Sequence, residues 1–567
     1  MYGGHSIARR KLLSLGKKLS KKTMSTPPAP VKVTCKPNAG NEQPEPAHRS
    51  KTAEVRGHRE VTKRRQVKSG KREQKKKRNQ ASVVAWAASR SQTRTFNTPP
   101  NAPSHAHVER LTRPPPRPHR EIYEIPEDEP WEDEDDLESQ LTISELYEYC
   151  VVPTVTDSAR HLYNILMWSL IFSVSTRFVR VPACLVHLMS AACGCVVAWQ
   201  LFGQRTVYMA SLTAVGGLSL LTSNALVKAR RGPWTCVACV VVMTVCELWW
   251  ADPVDWHSIR GAQMIILMKV VSVGYDLDAR TLTTCPGLAE LLGYILNPGS
   301  IIFGPWVSFK TYMKVLEPAT WKTWPILRIL QSLAASLLFL IKSTCIISWI
   351  LADPGNKWML AYRDALSFRT SHYFVSYMSE VSALLAGLEL AGVANPGSIE
   401  VPRSLGEVVV FWNMPMHHWL KTYVFKPVRG QLGVFWALLF TYSMSALFHG
   451  LNFQLAAVLL SLGFYTYVEH SLRYKLASAF DACILARPCP ESCEHTQKGW
   501  SVFTICTNLA FGLLAMFHLA YLGIMFDSSP QQQESGYSMK HTLTKWSILD
   551  YASHWVVLVC YIVNAVI

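Results

Sequence analysis

Long apolar stretches separated by short polar joints fill the chain from about residue 160 onward. They run over residues 162–172, 181–202, 206–226, 234–250, 262–275, 288–309, 326–352, 374–394, 432–448, 453–468, 502–526 and 552–567. Several reach the roughly 20 residues that a bilayer core requires. The shorter ones, and those interrupted by Gly or Pro, must be tilted, re-entrant or buried among neighbours, because lipid does not tolerate unpaired backbone. The pattern predicts an all-α, polytopic membrane protein of about 10–12 transmembrane or re-entrant helices, some of them broken. No repeat with a period of about 20–50 residues is evident.

Composition adds a tail to this body. The chain has 567 residues, 49% hydrophobic and 17% charged, and its net charge of +17 is unevenly spread. Residues 1–120 hold 29 Lys and Arg against 6 acids; residues 121–150 hold 13 acids and no Lys or Arg. The expected organisation is a disordered basic tail over 1–120, an acidic linker over 121–155 and a membrane body over 156–567. The densest basic run, 63–78, suits anionic lipid or a plain solvated tail. It lacks aromatic interleaving and any nucleic-acid fold signature, so no nucleic-acid partner is expected. Deletion of residues 1–150 is expected to leave the catalytic body intact.

The first residues carry no apolar signal-peptide core, so membrane entry is expected to use a later helix. No N-glycosylation acceptor marks topology. Lys228-Ala229-Arg230-Arg231 is a short basic joint and a candidate cytoplasmic loop. Of fifteen cysteines, most sit singly in apolar runs, as Cys184, Cys193, Cys246, Cys345, Cys506 and Cys560 do, and are expected to behave as small hydrophobes. Cys483, Cys489, Cys493 and His495 are the exception, four possible ligands within thirteen residues. Their spacing fits none of the common zinc patterns, so free loop thiols or a disulfide are the expected states and a metal the alternative.

Residues 412–469 carry the main candidate chemistry. Trp412-Asn413 is followed by a basic connection over 421–429, then an apolar helix pattern over 432–448 with His449 at its end. Tyr442, Ser445 and His449 are spaced i, i+3, i+7 and share one helical face, which Asn452 extends if the helix continues past Gly450. An ionisable residue at the edge of an apolar run is costly in lipid and marks a functional-site candidate. The competing reading is polar residues that only bond neighbouring helices. Three further stretches are too polar or irregular for simple spans: 256–278 with His257, Arg260 and Lys269; 297–312, where Pro298-Gly299 and Gly304-Pro305 break the helix twice; and 362–380 with Arg369, Ser371 and His372. Together they describe a body with a polar interior passage.

The stretches RGAQMIILMKVVSVGYDLD, FGPWVSF, VPRSLGEVVVFWNMPMHHWLKTYVFK, ALFHGLNFQLAAVLLSLGFYTYVEHSLR and MFHLAYLGIMFD closely resemble the membrane-bound O-acyltransferase family, in the same order across about 160–567. The first 150 residues have no counterpart in it. The resemblance implies a multi-pass enzyme of the endoplasmic-reticulum membrane. It is expected to move a monounsaturated acyl group, palmitoleoyl, from coenzyme A to a serine of Wnt proteins. Palmitoleoyl-CoA is then a donor substrate, with no bound cofactor or metal in the site. The family's histidine falls on His449 and its asparagine on Asn413; Trp412, Tyr442 and Ser445 fall beside them and are expected to contact substrate. Gln454 stands where a second histidine is often found, and the His417-His418 pair, which departs from the pattern, is read as a loop feature.

The chemistry is compatible with that placement. A positioned histidine takes the proton of a weakly nucleophilic serine hydroxyl as it attacks the thioester. An asparagine amide either donates to the developing oxyanion or orients the histidine. Arg260, Lys310 and Arg369 are candidates to meet the phosphates of coenzyme A, with snorkelling as the rival role. Two other function classes stand beside this one. A lipid acceptor would need a gate in the membrane plane, and a transporter or scaffold would use the passage without reaction, although no inverted repeat supports transport.

Overall fold

A computed structural model describes residues 141–177, 181–317, 325–352, 355–490, 492–526 and 538–567. The basic tail and the acidic linker as far as residue 140 lie outside them. The regular structure of the described residues is helical, as backbone surrounded by lipid requires. Among the described residues the only β pairing outside helices is a lone bridge between Ala482 and Gln497.

The principal helices are α1 (Val152–Arg177), α2 (Ala183–Phe202), α3 (Thr206–Leu226), α4 (Arg231–Val245), α5 (Pro253–Asp278), α6 (Leu288–Ile295), α7 (Ile326–Ile341), α8 (Lys357–Leu385), α9 (Leu405–Trp412), α10 (Met414–Trp419), α11 (Val434–Phe448), α12 (Phe453–Ala479), α13 (Val502–Gly523), α14 (Met539–Ile548) and α15 (Ala552–Val566). Five helical stretches are long and apolar enough to span a bilayer: Ala183–Leu226, Arg231–Trp250, Ile326–Ile350, Phe453–Ala479 and Val502–Gly523. The pair α14 and α15, bent by 76°, makes a sixth if taken as one span. The remaining apolar runs fall short for physical reasons. α11 has only 15 residues. α5 and α8 have 26 and 29, but carry ionisable groups that only a shielding ring of helices can accommodate.

Packing supplies that ring. α5 lies among α3, α4 and α6, and its central residues from Ile265 to Gly274 are buried without interruption. α8 runs between α7 and α13 and joins the two main apolar clusters. Its Phe374, Met378 and Val381 belong to one cluster, its Ala361 and Tyr373 to the other. Small residues let the helices approach closely: a Cβ on Gly232 would stand 2.5 Å from the Tyr275 ring, and one on Gly523 would stand 2.4 Å from Ala365 Cβ.

The two Gly-Pro and Pro-Gly breaks act as expected. Helix α6 ends at Ile295, and regular structure resumes at Phe309. Buried Lys269 holds the intervening backbone, donating to Tyr294 O at 3.0 Å, Ile295 O at 2.9 Å and Ser300 Oγ at 2.9 Å. Three acceptors match the three protons of an ammonium group, which is how this cation is accommodated in the core.

Two expectations are corrected here. Cys345, taken as a lone hydrophobe, is disulfide-bonded to Cys150, 195 positions away. Among the described residues helical structure starts at Ile143, and deleting residues 1–150 would remove half of a cross-link to the body. The basic segment 421–429 is helical, part of a continuous run from α10 to Leu432, rather than a connection.

Candidate active site

His449 terminates α11 as its C-cap, and the chain reverses at Gly450 (φ +92°) before Asn452 caps α12. Asn452 Oδ1 accepts from Gln454 N at 2.9 Å and Leu455 N at 3.3 Å, so Asn452 starts the next helix instead of extending the Tyr442–Ser445–His449 stripe. Two other helices pin this turn. Arg260 of α5 donates to the His449 carbonyl at 3.0 Å. Glu247, just after α4, accepts from Leu451 N at 2.7 Å. Glu247 was not singled out from the sequence; it is one acid in an aromatic run, and its partner is 204 positions away.

The imidazole itself stays open. Neither ring nitrogen of His449 is hydrogen-bonded to a described residue; Arg260 reaches its carbonyl instead. Four other interior histidines are committed. His187 bonds Tyr312 at 2.9 Å, His372 bonds Trp412 O at 2.9 Å, His518 bonds Ser553 at 2.6 Å and His554 bonds Tyr521 at 2.9 Å. Of the predicted stripe, Ser445 is buried one turn before His449, and the Tyr442 ring packs where a Cβ on Gly463 would come within 2.6 Å.

Trp412 and Asn413 sit at the junction of α9 and α10. The Trp412 ring stacks on His372, with centroids 4.3 Å apart and planes 9° from parallel. Asn413 caps α10, its Oδ1 accepting from Met416 N at 3.0 Å. The carbonyl side of that amide is therefore committed, while its NH2 makes no hydrogen bond to a described residue. α8 thus orients the Trp412-Asn413 pair through His372.

The membrane-bound O-acyltransferase family model matches residues 154–473, a span containing both His449 and Asn413. The chain belongs to the membrane-bound O-acyltransferase family. It is 38% identical over 455 residues to the human protein-serine O-palmitoleoyltransferase porcupine, which takes in 75% of this chain and 97% of the human protein. The corresponding Anopheles gambiae protein is 34% identical over 468 residues, covering 75% of this chain and 94% of that one. Lysophospholipid acyltransferase 1 of Arabidopsis thaliana is 23% identical over 320 residues, covering 47% of this chain and 68% of the plant protein.

Within this acyltransferase the candidate phosphate-binding cations separate. Arg369 grips Glu400 with two bonds of 2.9 and 2.8 Å, and Tyr373 donates to the same carboxylate at 2.7 Å. Its side chain is only 3% exposed, which makes it a helix tie and not a phosphate ligand. Arg260 serves the His449 turn. Lys310 is exposed and pairs with no described residue. His417 and His418 lie on α10 rather than in a loop, His418 stacking on Trp306 at 6.1 Å. Gln454 is buried and donates to Met525 O at 2.6 Å, bracing the start of α12 against the end of α13.

Proposed function

We propose that this chain is a protein-serine O-palmitoleoyltransferase of the endoplasmic-reticulum membrane that acylates Wnt proteins, with His449 as general base. The observation that carries the substrate assignment is the match to the human and Anopheles gambiae porcupine proteins, at 38% and 34% identity over 97% and 94% of their lengths, against 23% identity to the plant lipid-directed relative. The open imidazole in a turn held from two sides supports the assignment of the base.

In the reaction, a His449 ring nitrogen takes the proton of the acceptor serine as its oxygen bonds to the thioester carbonyl carbon. The carbon–sulfur bond breaks, the proton passes to the departing coenzyme A thiolate, and an O-acyl serine remains. Asn413 has its carbonyl oxygen committed to the α10 cap, so its contribution is a donated hydrogen bond, best used on the oxyanion that develops at the attacked carbonyl. Trp412, Tyr442 and Ser445 are assigned the role of contacting substrate. Palmitoleoyl-CoA enters as a substrate, with its acyl chain among apolar helices.

The test is transfer of a labelled palmitoleoyl group from its coenzyme A ester to a Wnt-derived serine peptide in membranes. At matched expression, His449→Ala abolishes transfer. Asn413→Asp keeps the cap acceptor but removes the donor, and lowers transfer while the protein stays folded. Undiminished transfer by His449→Ala would refute the base. Transfer to a lysophospholipid but not to the peptide would refute the acceptor.

A further inference from the structure

The loop between α12 and α13 has no role in this acyl-transfer scheme, yet it gathers chemistry-bearing side chains. The ligand atoms of Cys483, Cys489, Cys493 and His495 all lie within 4.8 Å of one another. Cys483 Sγ is 3.3 Å from Cys493 Sγ and 3.7 Å from His495 Nδ1, and Cys489 Sγ is 3.7 Å from the same nitrogen. A tetrahedral zinc ion with bonds of about 2.3 Å to sulfur and 2.0–2.1 Å to nitrogen sets sulfur–nitrogen edges near 3.5 Å and sulfur–sulfur edges near 3.8 Å. The two sulfur–nitrogen separations of 3.7 Å lie slightly above their edge and the sulfur–sulfur separation of 3.3 Å below its own, so small shifts would complete a tetrahedron. The sulfur–sulfur separation is well beyond the roughly 2.05 Å of a disulfide.

We propose that Cys483, Cys489, Cys493 and the Nδ1 atom of His495 form a structural zinc site. Binding converts three thiols to thiolates and releases three protons, leaving a centre of net charge −1. The surroundings suit an anionic centre. Lys498 donates to the Cys493 carbonyl and lies 3.9 Å from Cys493 Sγ, while Arg403 donates to Cys483 O at 2.7 Å. Backbone bonds close the loop around the ligands, from Cys483 N to Gln497 O at 2.9 Å and from Gln497 N to Asp481 O at 3.0 Å. Asp481 also accepts from the Thr496 backbone and hydroxyl, which ties the two ends of the loop together. Four ligands from one short segment, with no position left for water, make a structural site rather than a catalytic one.

The loop's end of the molecule fits free thiolates. Arg231, in the basic joint 228–231, donates to Leu277 O at 3.2 Å, and Tyr423 reaches Asp276 at 3.0 Å shortly before the chain turns back at Gly433. Phe435 then packs on Tyr467 at 5.2 Å, so α12 ends on the side of that basic joint, the side expected to face the reducing cytoplasm. The Cys150–Cys345 disulfide lies toward the other end. Ser367 bonds Ser343 O at 2.9 Å beside Cys345, Ala365 abuts Gly523 at the far end of α13, and the 22 residues of α13 separate that level from the cysteine loop. The metal would brace the acyltransferase body directly. Arg403 also donates to Leu485 O, and Ser404, the cap of α9, donates to Ala486 O at 3.0 Å. α9 leads to Trp412 and Asn413.

The test is metal content of the full chain purified in detergent without chelators. Close to one zinc per chain is expected, with replacement by cobalt giving the ligand-field and thiolate charge-transfer bands of a tetrahedral three-sulfur site. Cys489→Ser and Cys493→Ser lose the metal; Cys506→Ser, outside the cluster, keeps it. If the ligand variants fold poorly, the wild-type cobalt spectrum still decides. Protein without zinc above the buffer blank, a Cys483–Cys493 disulfide by mass spectrometry, zinc retained in both ligand variants, or zinc lost equally from Cys506→Ser would each overturn the assignment.

Discussion

Gly450→Ala tests how the turn presents His449. At φ +92° the residue sits where a side chain is strained, at about 1–3 kcal/mol. The added Cβ would stand 2.7 Å from Glu247 Oε1 and 3.3 Å from Glu247 Cδ. The carboxylate must therefore withdraw, and it is the acceptor for Leu451 N at 2.7 Å, a charge-assisted bond worth about 1.5–3 kcal/mol. The two effects load roughly 2.5–6 kcal/mol onto the two residues after the proposed base. A displacement of about 1 Å there is enough to lower acyl transfer by about a hundredfold. A double-mutant cycle separates the effects. In a Glu247→Ala background the collision is gone and the bond already lost, so Gly450→Ala adds only backbone strain. The expected non-additivity is about 1.5–3 kcal/mol in thermal unfolding of detergent-purified protein, with transfer to a Wnt-derived peptide measured in parallel. If Gly450→Ala matches wild type in stability and transfer, or the two substitutions add within about 0.5 kcal/mol, the pinned-turn account is wrong.

Two other buried cations give sharper stability predictions. Lys269→Met leaves Tyr294 O, Ile295 O and Ser300 Oγ without their donor; at about 1–3 kcal/mol per unsatisfied group the loss is at least about 3 kcal/mol, and unchanged thermal unfolding would refute the clamp. Arg369→Met removes the charge partner of the Glu400 carboxylate, leaving it the Tyr373 hydroxyl, and lowers stability by about 2–4 kcal/mol after allowing for its partial exposure, whereas Arg369→Met combined with Glu400→Leu recovers most of that loss. The double variant should keep the wild-type KM for palmitoleoyl-CoA; a large rise would return Arg369 to the phosphate-binding role.

The helices were legible because lipid leaves the backbone few choices, so apolar length alone marks α2, α3, α4, α7, α12 and α13. Pro298-Gly299 and Gly304-Pro305 likewise announced the irregular segment after α6. The pairings were not legible. Arg369 meets Glu400 at a separation of 31, Cys150 meets Cys345 at 195 and Glu247 meets Leu451 at 204, and no local periodicity encodes such encounters. The gathering of the cysteine loop was not legible for a related reason: zinc patterns in sequence assume paired short spacings, while here the Ala482–Gln497 bridge and the Asp481–Thr496 bonds close the loop.

Sequence ranks every polar residue within an apolar run alike, as a group that needs a reason to be there. Structure ranks them by what their hydrogen bonds already do. Lys269 spends three donors on one broken segment, Arg369 spends a bidentate pair on Glu400, Arg260 holds a carbonyl, and His372 holds both the ring and the backbone of Trp412. Each of these satisfies a buried partner, and a group so committed has little left to give a reacting molecule without unmaking the fold. His449 and the amide nitrogen of Asn413 differ because the backbone around them is held by other residues while their own polar atoms are not used. A base and an oxyanion donor must be fixed in place yet unpaired until substrate arrives. That division of labour, more than burial or charge, supports these two residues as the acyl-transfer pair.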